Sequence, residues 1–487
     1  MAIESINPAT GQQLEAFAPF RPEHVHALLD EAREAYLHWR QETFAARSER
    51  LTALAKVLRS RKAELARTAT LEMGKSILEA EAEVEKCAWC CDFFAQHAEG
   101  YLADQQLPST ASESYVGCRP LGVVLAIMPW NFPYWQVFRF AAPALMAGNT
   151  AVLKHASNVS RCALEVERAF VDAGFPHGIF RTLLLPGAET AELIGDPRIA
   201  AVTLTGSTQA GSAAAAASGR QIKKHVLELG GSDAFIVLED ADIEAAAAVG
   251  VRARYQNCGQ SCIAAKRFIL AERIADQFLQ AFTTGVRALR VGDPLDRAVQ
   301  VGPLARADLR DALERQVQES VSAGATLALG GHCVPGPGAF YEPTILTGVE
   351  PGMPAFDEET FGPAAAMVIA PRCRPRGGAG QQFRLRVGRE PLDARHRSRS
   401  RAGQKLGMRR AVHQRHDGVR AGAALRRREA QWLRPRAVRL RHPRICESAN
   451  GVDWPTHAGA SPRSHNRIGP AARPARPRTK HGRLRRR

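Results

Sequence analysis

Two residues of this chain carry the plainest chemistry. Cys262 lies in QNCGQSCIAAKR, with small and polar residues before it and apolar ones after. A cysteine is a nucleophile only as its thiolate, which a nearby positive charge, a helix N-terminus or a base favours. A loop feeding a buried element suits that need. Cys258, in the same stretch, reads as structural. Glu228 lies in HVLELGGSDAFIVL, flanked by leucines and followed by two glycines and an apolar run. A carboxylate among apolar neighbours is either ion-paired or has a raised pKa, and the second condition suits a general base. From the residues alone both readings stay open.

Three other motifs bear on the same chemistry. Asn131, in MPWNFPYWQ, is a neutral amide on a proline-stiffened aromatic loop. It can offer hydrogen bonds to a developing oxyanion, or it can simply be a turn residue. Gly206 and Ser207, in LTGST, open a helix after a strand, where backbone donors suit a pyrophosphate. No G-x-G-x-x-G accompanies them in residues 1–370. Cys87, Cys90 and Cys91 have metal-like spacing, but no second Cys/His pair joins them and the segment reads helical. A metal site is therefore not expected.

The elements that must position these residues read as α/β. Residues 23–100 carry apolar side chains at helical spacing, as in EHVHALLDEAREAYLHW. LGVVLAIMPW, TAVLKHAS, AAVTLTGS and AFIVL are short, mostly apolar runs with helical stretches between them. Buried strands alternating with helices predict a doubly wound parallel sheet, with sites at the carboxyl ends of its strands. Asn131, Lys154, Gly206 and Ser207 all fall at such ends.

The chain has 487 residues, 45% hydrophobic and 24% charged, which excludes wholesale disorder. No apolar run approaches the roughly 18 residues of a membrane helix. The N-terminus lacks the charged-then-apolar build of a signal peptide. The 10 cysteines form no disulfide framework, which predicts a soluble cytoplasmic protein with reduced thiols. The net charge of +17 is unevenly spread: residues 371–487 hold 33 of the 66 basic residues but only 6 of the 49 acidic ones. Residues 1–370, with 33 basic and 43 acidic residues, are mildly acidic and give no reason to expect nucleic-acid or membrane binding.

PWNFP, LKHAS, LTGS, LELGGSD, GQSC and EETFGP occur in this order at wide separations. Together they resemble the aldehyde dehydrogenase superfamily from Met1 to about Ala370. PLGVVLAIMPWNFPYWQVFR, KKHVLELGGSDAFIVL and YQNCGQSCIAAKRFI are most similar to its succinate-semialdehyde dehydrogenases, which accept NAD or NADP. The resemblance implies a Rossmann-type cofactor domain over residues 1–229, with an oligomerisation hairpin at about 104–118, and an α/β catalytic domain over 230–370. It implies that Cys262 attacks an aldehyde carbon to form a thiohemiacetal, with the oxyanion held by Asn131 and the Cys262 backbone N–H. Hydride transfer to the nicotinamide then leaves a thioester, and Glu228 activates the water that hydrolyses it.

Cofactor positions carry over in the same way. Lys154 matches a residue at the adenosine ribose, Gly206 and Ser207 the pyrophosphate turn, and Glu359 the nicotinamide-ribose carboxylate, with Trp130 and Phe361 beside it. Members strict for NAD often carry a glutamate three residues after that lysine, and Ser157 stands there in this chain, which admits NADP. Arg139 matches an arginine that receives the substrate carboxylate. A second arginine used for this, six residues before the nucleophile, is Gln256 here. The implied substrate is succinic semialdehyde, the alternative another small aldehyde. The implied partner is a second copy of the chain, in a homodimer or homotetramer.

The resemblance stops at Ala370–Pro371. The family continues past FGP with a segment similar to ANDSxYGLGA, then PFGG, SGxGRE and a final strand that pairs with another subunit. Back-translating PRCRPRGGAGQQFRLRVG one base later gives RDADHAVALANNSDYGLG, and ALRRREAQWLRPRAV gives PFGGGKRNGYGREL. Residues 371–487 are thus expected to be the family's C-terminal segment read out of frame. The chain as written is then expected to be insoluble or inactive. The alternative at this stage is a basic tail that binds nucleic acid.

Overall fold

The computed structural model describes residues 3–110 and 112–370, together with two short strands beyond them, Glu390–Leu392 and Cys446–Ser448. The out-of-frame reading of residues 371–487 otherwise lies outside the described residues. A hairpin of β1 (Ile3–Ile6) and β2 (Gln13–Phe17) opens the fold. The helical periodicity that follows resolves into α1 (Pro22–Trp39), α2 (Phe44–Ser60), α3 (Lys62–Met73) and α4 (Ile77–Leu102). Their starts are set locally. Pro22 sits in the first turn of α1, and the Thr43 hydroxyl accepts from the Ala46 N–H at 3.1 Å at the start of α2. At the start of α4 the Ser76 hydroxyl accepts from the Glu79 N–H at 3.4 Å. Cys87, Cys90 and Cys91 lie fully buried on α4 as packing residues.

Next come β3 (Gln105–Gln106), β4 (Tyr115–Val116) and β5 (Cys118–Pro120). β3 and β4 pair antiparallel, Gln105 with Val116 and Gln106 with Tyr115. The first large sheet is built from β6 (Val123–Met128), β7 (Thr150–His155), β8 (Phe180–Thr182), β9 (Ile199–Gly206) and β10 (Lys224–Leu229). Its order is β10-β9-β6-β7-β8, all parallel. α5 (Trp135–Met146), α6 (Ser160–Asp172), α7 (Thr190–Gly195) and α8 (Thr208–Arg220) make the crossovers. The strand order reverses between β6 and β9, so a crevice opens beyond their carboxyl ends. Trp130 and Asn131 follow β6, and Ser207 follows β9.

The chain leaves β10 at Leu229 and enters the second sheet at β11 (Asp233–Val237), followed by β12 (Ala265–Ala271), β13 (Thr326–Leu329), β14 (Thr344–Thr347) and β15 (Ala364–Ala370). β16 (Glu390–Leu392) completes the order β13-β14-β15-β12-β11-β16. All pairs are parallel except β13–β14, which departs from the parallel expectation. α9 (Ile243–Tyr255), α10 (Ala275–Arg287), α11 (Ala307–Ser322) and α12 (Pro354–Asp357) accompany it. Its core stacks Phe268, Phe278 and Phe282, with centroids of 4.8 Å for Phe268–Phe282 and 5.6 Å for Phe278–Phe282. Burying each such ring contributes about 1.5–3 kcal/mol, so this cluster anchors β12 and the turn that precedes it. β17 (Cys446–Ser448) pairs antiparallel with β5. No helix among the described residues is long and apolar enough to cross a membrane. No group of three or more His, Cys, Asp or Glu among them is placed to hold a metal.

Candidate active site

Cys262 sits on a strained turn. Asn257, Cys258 and Gly259 have φ of 55°, 53° and 70°, three successive left-handed residues between α9 and β12. Each non-glycine residue there costs about 1–2 kcal/mol, so the turn persists only because its surroundings hold it. A carboxylate oxygen of Glu79 accepts from the Asn257 N–H at 2.8 Å, and the Asn257 amide donates to the carbonyls of Asn131 at 2.9 Å and Gln260 at 3.0 Å. The Gln260 side chain accepts from the Ala305 N–H at 2.9 Å. Gly259 has no alternative: a Cβ there would stand 2.3 Å from the Gly362 carbonyl oxygen. Cys258 is buried, and desolvation raises its thiol well above the ordinary range, so it behaves as the structural cysteine of the pair.

The Asn131 loop comes from the other sheet. Asn131 is buried, and its Nδ2 donates to the Gln260 carbonyl at 3.1 Å, while its Oδ1 has no hydrogen-bond partner. That bond takes one of the two amide hydrogens and ties the PWNFP loop to the turn two residues before Cys262. The loop is braced from behind. Glu83 accepts from the Tyr134 and Trp135 N–H groups at 2.8 Å each, at the N-terminus of α5, and pairs with the fully buried Lys75. Lys75 also lies 4.1 Å from the centroid of the Phe132 ring. His155 Nδ1 accepts from the Ala156 N–H at 2.9 Å, which leaves Nε2–H to donate to the Pro133 carbonyl at 2.9 Å. Burial holds this imidazole neutral by lowering its pKa to about 4.

Glu228 is ion-paired: Arg139 Nη2 stands 3.6 Å from its Oε2. The two sequence candidates therefore face each other, Arg139 from α5 and Glu228 from β10. Beyond Glu228, a Cβ on Gly230 would fall 1.9 Å from a carboxylate oxygen of Glu359, so Glu359 rests directly against the glycine backbone. The other oxygen of Glu359 lies 3.3 Å from Lys266 Nζ. Phe361 meets Trp130 edge to face, with centroids 5.7 Å apart at 89°. Residues 130, 228–230, 257–262 and 359–361 thus form one connected neighbourhood from four separate parts of the chain.

The remaining candidates line the carboxyl edge of the first sheet. Lys154, near the end of β7, is buried and donates to the His155 carbonyl at 3.0 Å, and desolvation lowers its pKa. Ser157 begins the short helical turn after β7. Ser207 caps α8, accepting from the Ala210 N–H at 3.2 Å. A Cβ on Gly206 would meet nothing nearer than 3.6 Å, so the space before this helix start is open. An ammonium, a hydroxyl and a capped helix N-terminus form a donor set for phosphate. The donor chemistry fits the phosphates of a dinucleotide at this edge.

Several contributors escaped the sequence reading. Lys266 and Arg267, in AAKRFIL, look like surface residues, yet both are buried on β12. Arg254 is fully buried, donates to the carbonyls of Thr360 and Gly362, and has its pKa lowered by desolvation to about 10. Glu79 and Glu83, four apart on α4, carry the Asn257–Cys262 turn and the Asn131 loop respectively. The one signal in the sequence was S-x-x-E at Ser76–Glu79, which marks a helix start but not the distant turn it holds.

A parallel sheet and a mixed, mostly parallel one, a crevice at the switch point of the first and a cysteine turn bridged to an asparagine loop define a dinucleotide-dependent oxidoreductase architecture. The aldehyde dehydrogenase family model matches residues 1–371, and the chain belongs to that family. The match ends where the charge balance reverses. The chain is 53% identical over 365 residues to a probable NADP(+) succinate-semialdehyde dehydrogenase of Synechocystis sp., covering 75% of this chain and 80% of that protein. It is 47% identical over 366 residues to the NAD(P)+ succinate semialdehyde dehydrogenase Sad of Escherichia coli, covering 75% and 79%. Among solved structures, Streptococcus pyogenes succinic semialdehyde dehydrogenase in complex with NADP+ superposes with a TM-score of 0.80 at 32% identity, over 82% of this chain and 89% of that one. Gox0499, studied for cofactor and substrate selection, gives 0.81 at 37% identity, over 84% and 89%.

Proposed function

We propose that this chain is an NAD(P)-dependent dehydrogenase that oxidises succinic semialdehyde to succinate through Cys262. The observation that carries the reading is the bond from the Asn131 amide to the Gln260 carbonyl, which brings an oxyanion donor to the turn of the cysteine. The names of the relatives supply the substrate and cofactor. Cys262 forms a thiohemiacetal with the aldehyde, and the second Asn131 amide hydrogen and the Cys262 N–H hold its oxyanion. NAD(P), when bound, supplies the hydride acceptor. Lys154, Ser157, Gly206 and Ser207 hold its adenosine and phosphate portions, and Glu359, Trp130 and Phe361 hold the nicotinamide riboside. Ser157 introduces no negative charge beside Lys154, which supports NADP as well as NAD. Arg139, paired with Glu228 in the structure, turns to the substrate carboxylate when the aldehyde binds, and Glu228 so released draws a proton from the water that hydrolyses the thioester. The division into a cofactor domain over 1–229 and a catalytic domain over 230–370 belongs to the same proposal, as does assembly into a homodimer or homotetramer through the β3–β4 hairpin.

The test is NADPH formation from succinic semialdehyde, measured with Cys262→Ser and Arg139→Ala. Cys262→Ser is expected to abolish turnover. Arg139→Ala is expected to raise KM for succinic semialdehyde far more than for butanal, which lacks the carboxylate. An equal rise for both aldehydes would instead favour a dehydrogenase of another small aldehyde, the reading that Gln256 supports.

A further inference from the structure

Lys266 is buried completely, and an ammonium in that position costs several kcal/mol unless it is paired and fully hydrogen-bonded. It has three acceptors around it: the carbonyls of Ser261 at 2.9 Å and Cys262 at 3.1 Å, and the Glu359 carboxylate at 3.3 Å. The two carbonyls accept hydrogen bonds, and the carboxylate oxygen supplies the opposite charge that favours the ammonium form. The Phe361 ring lies 6.0 Å from the same nitrogen. A methionine would fill this volume on a strand buried on both faces without desolvating a charge. Packing alone therefore gives no reason for a lysine. Its place does: it donates to two carbonyls of the nucleophile turn and forms an ion pair with the ribose-side carboxylate.

We propose that Lys266 is a positioning residue that couples the cofactor seat at Glu359 to the nucleophile turn at Ser261–Cys262. This rests on the reading of Cys262 as nucleophile and Glu359 as ribose ligand. Held on one oxygen by Lys266 and backed by Gly230, Glu359 keeps a single side-chain orientation in which its other oxygen meets the ribose. A ligand that pulls on Glu359 is felt through the ammonium at the two carbonyls, and so at the cysteine. The positive charge also favours the thiolate form of Cys262.

The experiment compares Lys266→Met, which keeps the volume, with Lys266→Arg, which keeps the charge. Both are made in the 487-residue chain and in a chain with its frame after Ala370 restored. Iodoacetamide alkylation of Cys262 is followed by peptide mass spectrometry across pH, with and without saturating NADP. In the unsubstituted protein, NADP is expected to change the alkylation rate several-fold. In Lys266→Met that ratio should fall to about one although tryptophan fluorescence still reports NADP binding. Its alkylation midpoint should also rise by about one pH unit, slowing alkylation about tenfold near neutrality. Lys266→Arg should restore part of both. An unchanged ratio and midpoint in Lys266→Met, or a ratio of one in the unsubstituted protein, overturns the proposal. Should Lys266→Met not fold, Glu359→Gln breaks the same link from its other end and must abolish the ratio. Failure of the underlying reading looks different: Cys262→Ser would retain turnover, whatever Lys266 does.

Discussion

Gly230→Ala separates the cofactor seat from the stability of the fold. The new methyl carbon would lie 1.9 Å from Glu359 Oε2, so the carboxylate must retreat by about 1.5 Å or more to reach ordinary contact. That atom is the end of a flexible side chain, and retreat is easy. Gly230 does not occupy the left-handed region, so alanine meets no backbone strain. Stiffening the unfolded chain stabilises by about 0.4–1 kcal/mol, which offsets much of the loss of the partly exposed Glu359–Lys266 pair. Lys266 keeps its bonds to the Ser261 and Cys262 carbonyls and Glu359 is partly exposed, so the net loss should stay at about 1–2 kcal/mol, too little to threaten the fold. The cofactor, in contrast, loses a charge-assisted hydrogen bond worth about 1.5–3 kcal/mol. At 1.4 kcal/mol per tenfold, Kd for NADP should rise about 10- to 150-fold. Fluorescence titration with NADPH gives the affinity, and the urea midpoint gives the stability. An affinity within about twofold of the parent would refute the placement of the ribose at Glu359. A loss of several kcal/mol with affinity intact would mean that Gly230 serves packing alone.

Gly259→Ala should behave oppositely: left-handed strain and a backbone clash with Gly362 together cost about 2–4 kcal/mol, seen as a lowered urea midpoint along with lost turnover. His155 makes stability depend on pH. Its folded pKa of about 4 lies below its ordinary 6.5, so the unfolded chain takes up a proton first as pH falls. Its contribution, about 3 kcal/mol, is complete above pH 6.5 and is lost as pH falls through about 4. His155→Gln should remove that part of the slope in urea midpoints measured from pH 7 to 4, and an unchanged slope would place the titrating group elsewhere. The chain as written and the chain with its frame restored after Ala370 can be compared by solubility, size-exclusion profile and NADPH formation. The restored chain is expected to be soluble, oligomeric and active. A soluble, tetrameric and active chain as written would refute the out-of-frame reading.

Local features of the sequence were enough to give the helices of residues 23–100 and four of the strands. Apolar spacing showed α1 to α4 because a helix packed on a core must present one apolar stripe. Short apolar runs showed β6, β7, β9 and β11 because parallel strands are covered on both faces. The family motifs pointed to Cys262, Glu228, Asn131 and Glu359 as candidates, Glu228 near the end of β10 and the others in loops. Tertiary structure alone decided which distant groups meet. Glu228 had two readings until Arg139 was found facing it across the sheet edge. The helical spacing of α4 does not tell that Glu79 and Glu83 hold the turn at Asn257 and the start of α5. Arg254 is satisfied by the distant carbonyls of Thr360 and Gly362, and Lys266 meets, besides the carbonyls of its own turn, the distant carboxylate of Glu359. The physical reason is common to all of these. Periodicity reports how a segment meets a core, whereas a buried charge is tolerable only because of partners far along the chain, and those partners are assembled only when the two sheets fold.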